Sequence, residues 1–132
     1  FDLDPQKTLT DVIDIREEEG YEPALGVSDD FAALESLRGS DAEVIVDVGT
    51  SDFGAMKAAL KLADRIITPV PPSQADIWST QRFIKIIREE CGGADKMPKV
   101  LGFINRADTH RGVRETDEAE EALGYLKHIE RL

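Results

Sequence analysis

The sequence is short of the residues that staple or metallate a small protein. One cysteine, Cys91, in 132 residues cannot close an internal disulfide, which excludes a secreted disulfide scaffold and fits a reducing cytoplasm. Histidine is nearly as scarce, and His110 and His128 beside that single thiol make no zinc ligand set. Basic residues are outnumbered, 16 Lys and Arg against 27 Asp and Glu for a net charge of -11, so no broad electrostatic grip on DNA or anionic lipid is expected. No apolar run approaches the length of a membrane span, and none reads as a signal peptide. What is present, 41% hydrophobic residues in a chain of single-domain length, predicts one domain with a real core. The chain opens on Phe1, inside what reads as the last turn of a strand, and is expected to be a fragment.

Helical periodicity and strand-like apolar runs alternate along the chain without repeats, the pattern of an α/β domain with a parallel sheet. Asp4-Pro5 reads as a helix start, with Asp4 as N-cap and Pro5 at the first helical position. Leu9, Val12 and Ile13 mark that helix's apolar face and Gly20 its stop. "PALGV" reads as a short extended piece, and Ser28 as the cap of a helix carrying Phe31, Leu34 and Leu37. "EVIVDV", residues 43 to 48, is the clearest strand, because β-branched residues run almost unbroken, as both-face burial requires. Asp52 caps a helix with Phe53, Met56, Leu60 and Ala63 on one stripe. "RIITPV" is a second strand, "SQADIWSTQRFIKIIREEC" a helix stopped by Gly92 and Gly93, "KVLGFIN" a third strand, and residues 113 to 126 a last helix with an acidic outer face.

Polar residues gather past the carboxyl ends of these strands, where open α/β sheets bind ligands. Asp2 and Asp4, Asp47, the segment after Val70, and Asn105 to Asp108 all fall there. Asp47 lies in an apolar strand, where an unpaired carboxylate is costly. Followed by Gly49 and a flexible turn, it looks like a Walker B carboxylate that holds Mg²⁺ directly or through water. "TPVPPSQAD" reads first as a strand exit with Ser73 capping the next helix. "NRAD" reads either as a base-reading loop or as a turn. Arg106, Arg111 and Arg114 could meet a phosphate or simply balance charge. Trp78 and the Met56 stripe read as packing.

Taken in order, "DLDPQKTLT", "IVDVGTSD", "ADRIITPVPPSQAD" and "VLGFINRAD" resemble the ParA/MinD family of deviant Walker ATPases, over about residues 1 to 108. The resemblance implies a doubly wound, mainly parallel sheet with helices on both faces, like a truncated P-loop NTPase. It implies a cytoplasmic homodimer that binds ATP and Mg²⁺ and hydrolyses ATP slowly to drive plasmid or chromosome partition, with a centromere-binding ParB-like partner. Carried onto this sequence, Asp4 orients or deprotonates the attacking water, with Asp2 beside it near metal and phosphate. Asp47 serves the Mg²⁺ shell, Asn105 and Arg106 lie at the adenine, and Pro72, Ser73 and Asp76 line the nucleotide pocket and dimer side. The family's glycine-rich phosphate loop should precede "FDLDPQ", and no G-x-x-x-x-G-K-[ST] occurs elsewhere; "CGGADK" follows a helix and lacks the spacing. Phosphate affinity in such folds rests on that loop, so these residues alone are expected neither to bind nor to hydrolyse ATP. The C-terminal helices that in the family often contact non-specific DNA are expected to be absent as well.

Two other readings stay open. A phospho-receiver module would use Asp2 and Asp4 as its acidic pair, Asp47 as phospho-acceptor and Thr68 as its threonine, although Asn105-Arg106 stands where that module needs lysine. A non-catalytic paralogue would keep the fold for protein contacts alone.

Overall fold

In the computed structural model, which describes residues 1–107 and 114–132, the chain is mixed α/β and divides into two units, Phe1–Leu62 and Ala63–Leu132. The second unit is built from the two apolar runs that the sequence marks most clearly. Strand β1 (Arg65–Val70) and strand β2 (Lys99–Ile104) pair in parallel, in register from Arg65 opposite Lys99 to Val70 opposite Ile104. A two-residue β3 (Glu130–Arg131) adds to the other side of β2, also parallel, giving the order β1-β2-β3. Parallel neighbours need crossovers, and helices α4 (Gln74–Glu90) and α5 (Glu115–Tyr125) supply them.

Both helices pack on one face of this small sheet. Val70 of β1, Ile77 of α4 and Ala119 and Leu123 of α5 form one buried cluster, against which Ile104 and Ile129 pack. The alternation along β1 shows the consequence: Ile66 and Val70 are buried, whereas Ile67 is 62% exposed. Within this unit, the expected helices on both faces reduce to helices on one. Gly102 on β2 lets the return segment approach, since a Cβ there would come within 2.5 Å of Ile129 Cδ1.

The ends of α4 follow the sequence closely. Ser73 is its N-cap and accepts from the Asp76 amide at 3.2 Å. At the other end Gly92 takes φ +76°, and the Gly93 amide reaches back to the Arg88 carbonyl at 2.9 Å, the glycine-terminated closure that leaves few carbonyls orphaned. The helix buries Ile77, Thr80, Ile84 and Ile87, the stripe expected; Trp78 stands off it and is exposed.

The first unit carries helices α1 (Thr8–Glu18), α2 (Phe31–Ser36) and α3 (Phe53–Leu60). Three boundaries differ from the sequence reading. Helix α1 starts at Thr8 after Lys7 in a left-handed conformation, φ 57°. Asp4 instead opens a turn, its carbonyl accepting from the Lys7 amide at 3.0 Å and its Oδ1 from the Gln6 amide at 2.9 Å. Asp30 rather than Ser28 caps α2, accepting from the Ala32 and Ala33 amides; the Ser28 hydroxyl accepts from the Asp30 amide one step earlier. "PALGV" forms no strand. Helix α3 is capped by Asp52 as expected, through the Ala55 amide at 2.9 Å.

The largest departure is "EVIVDV". Residues 43 to 48 are extended but form no strand, only a single parallel bridge between Asp2 and Asp47. A regular strand needs a backbone ladder that runs its length along at least one neighbour, and a partner of three residues is too short to supply it. Here residues 1 to 3 supply one edge, through Asp47 N–H to Phe1 O at 2.8 Å and Leu3 N–H to Asp47 O at 2.9 Å. Ile45 is left 83% exposed.

Candidate functional site

The acidic motif at the start of the chain is held by its own backbone geometry and by helix α1. Asp2 is the fixed point. Its side chain is fully buried, the one buried carboxylate among the described residues, and every polar group on it is engaged. Oδ1 accepts from the Asp4 amide at 3.1 Å; Oδ2 accepts from both the amide and the hydroxyl of Thr10, at 2.9 and 2.8 Å. Its main-chain N–H donates to Ser28 O at 2.9 Å, and its carbonyl accepts from Lys7 Nζ at 2.8 Å. Lys7 Nζ also pairs with Asp29 at 3.1 Å.

Burial alone would push the Asp2 carboxyl up. The Thr10 amide and hydroxyl, the Asp4 amide and the Lys7 charge outweigh it and hold the carboxyl below the ordinary 3.8. A carboxylate that accepts several donors stays ionised for this reason. The hydrogen bond from Lys7, then its charge, lowers Asp29 too. Asp2 was expected beside metal and phosphate, but both of its oxygens face inward to donors of this chain.

Asp4 is the carboxylate turned outward. It is half-buried, with Oδ1 on the Gln6 amide and no donor to Oδ2 among the described residues. Its carboxylate lies against the turn that follows Asp47, so that a Cβ on Gly49 would come within 2.5 Å of Asp4 Cγ and 2.6 Å of each oxygen. Gly49, expected as a flexible turn, has no left-handed backbone; its missing side chain is what the geometry uses. The Asp47 side chain is exposed rather than buried in a strand, which removes the desolvation cost expected for it. Among the described residues no three His, Cys, Asp or Glu groups converge in a way that could hold a metal.

The other expected site residues lie in the second unit. Asn105 follows β2, its amide donating to Val70 O at 2.9 Å, and its Oδ1 accepts from the Arg106 amide at 3.0 Å. Arg106 sits at φ 58°, and both side chains are exposed. Ser73 and Asp76 are joined side chain to side chain as the cap of α4, and Pro72 is half-buried before them. Asp108, His110 and Arg111 lie outside the described residues. A hollow of about 280 Å³ between Met97, Lys99, His128 and Glu130 lies at the start of β2, the end away from Asn105, and no chemistry-bearing motif reaches it.

Sequence reasoning singled out Asp2, Asp4 and Asp47 but missed Thr10, Lys7 and Asp29. Thr10 had one available signal, a hydroxyl on the inward stripe of an otherwise apolar helix face. No family model, curated protein or solved structure matches the chain.

Proposed function

We propose that this chain is part of a ParA/MinD-type ATPase: a doubly wound nucleotide-binding fold, working as a cytoplasmic nucleotide-sandwich homodimer, that hydrolyses ATP to partition DNA or position cargo with a ParB-like partner. The observation that supports the reading is the contact of Asp4 with Gly49. It joins the two acidic motifs, "DLDPQ" and "VDVG", at the ends of paired parallel segments, the edge at which α/β sheets take ligands. Asp4 has the attributes of a group that orients or deprotonates water: a fixed turn, partial exposure and one oxygen not committed to the chain. Asp47's exposed carboxylate suits a Mg²⁺ shell that keeps its waters and shares phosphate oxygens, and such a shell does not need an all-protein cage, which is not found among the described residues.

Bound Mg-ATP would supply the electrophilic phosphoryl group and the charge neutralisation. The chain's own share is positioning. Among the described residues nothing accepts from the Asn105 amide NH₂, which would suit an adenine ring acceptor, with Arg106 beside it. Pro72, Ser73 and Asp76 shape the neighbouring strand exit. The phosphate loop is not among these residues, so the test has two arms. The 132 residues should give no Mg-ATP heat in calorimetry. A polypeptide joining them to the family's phosphate loop should turn over ATP with Mg²⁺, and Asp4→Ala should lower kcat by about 10²-fold or more. Unchanged turnover in that variant would remove Asp4 from the mechanism.

Asp47's exposure also favours the receiver reading, because a phospho-acceptor must be reachable. Beryllofluoride that shifts the amide resonances of Asp47 and Thr68 in the absence of ATP would establish that alternative.

A further inference from the structure

We infer that Asp4 is aimed by a two-sided clamp in which Thr10, acting through buried Asp2, and Gly49 are positioning residues for the Asp4 carboxylate. The inference rests on the ATPase reading only for what Asp4 does, not for how Asp4 is held. On one side, Thr10 places two donors on Asp2 Oδ2 while Asp2 Oδ1 takes the Asp4 amide. The first turn of α1 is thereby tied through one rigid carboxylate to the backbone of the outward-facing aspartate. On the other side, the bare Cα of Gly49 admits the Asp4 side chain to a distance that any Cβ would forbid. The Gln6 amide on Asp4 Oδ1 fixes the remaining rotation.

Each arm can be removed separately. Thr10→Val keeps the shape and the amide donor and deletes the hydroxyl; it should raise hydrogen exchange at the Asp4 amide about tenfold, the weight of one charge-assisted hydrogen bond. Exchange within α4 should not change, and Thr10→Ser should restore the wild-type rate. Gly49→Ala meets the end of a side chain rather than backbone, so the fold should survive while the Asp4 carboxylate is displaced by about 1 Å. The Gln6 amide resonance should then shift. In the ATPase-competent polypeptide kcat should fall by about 10²-fold, with the KM for ATP within about twofold of wild type, the signature of misplaced rather than lost binding.

Equal Asp4 exchange in wild type and Thr10→Val would overturn the Asp2 arm. An unmoved Gln6 amide with unchanged kcat in Gly49→Ala would overturn the Gly49 arm. If Thr10→Val does not fold, Thr10→Ala, which also deletes the hydroxyl and keeps the amide donor, decides the first arm through the same amide against Thr10→Ser. Failure of the wild-type polypeptide to turn over ATP would defeat the functional reading alone, because the amide measurements still decide whether the clamp exists.

Discussion

Asp2 shows how one residue can be polar, ionised and buried at once when its donors offset the cost of burial. Its carboxyl is held below the ordinary 3.8 against the opposing effect of burial, so its contribution to stability is present above that value and is lost as pH falls through the lower folded value. Asp2→Asn retains the volume but offers one acceptor oxygen where two are used, and it should be less stable at neutral pH. The gap between wild type and Asp2→Asn, measured by urea unfolding, should narrow on acidification below about pH 4. A constant gap would mean that Asp2 is not ionised in the fold. Asp29 contributes in the same direction through Lys7; its exposure makes that share small. The sequence marks Asp2 and Asp4 as candidates, but the division of labour between them was not legible there. Two aspartates spaced by one residue look equivalent on paper, and it is Thr10, eight positions on, whose two donors hold Asp2 inward while Asp4 takes one amide, that of Gln6.

Elements were legible where local signals and tertiary partners agree. Strand β1 and helix α4 match the expected runs because a polar-to-apolar switch, a serine cap and a glycine pair mark their ends and the sheet then buries them. Ser73→Ala should cost about 1 kcal/mol by loss of that cap, read as a lowered urea midpoint with unchanged slope. Gly102→Ala tests packing rather than capping. Its Cβ would lie within 2.5 Å of Ile129 Cδ1 and 3.3 Å of Leu123 Cδ1, and forcing a methyl into so close a contact should cost about 1–3 kcal/mol. The misread elements failed for the opposite reason. "EVIVDV" has the composition of a central strand, but composition cannot supply the second neighbour that a central strand pairs with. Asp4-Pro5 has a helix-start signature that loses to Asp2 and Lys7, whose hydrogen bonds tighten the first residues into a turn and delay α1 to Thr8.

Charge is the property that reads directly from sequence to the whole molecule, because it needs no fold to be counted. With 27 acidic and 16 basic side chains, the field around the chain repels a polyanion. The basic stretch around Arg106, Arg111 and Arg114 is too short to neutralise the six or more phosphates that useful non-specific affinity at physiological salt requires. These residues should therefore not bind a fluorescent 20-base-pair duplex at about 150 mM salt, and lowering the salt to about 50 mM should gain little, since few counterions are there to be released. Fluorescence anisotropy measures both. Binding that weakens steeply with salt would show instead that Arg106, Arg111 and Arg114 form a phosphate-reading patch despite the net charge of -11. In that event Arg114→Ala should flatten the salt slope by about one. The expected absence of binding bears on the proposed function, because a partition ATPase that grips DNA would then have to do so through segments other than these.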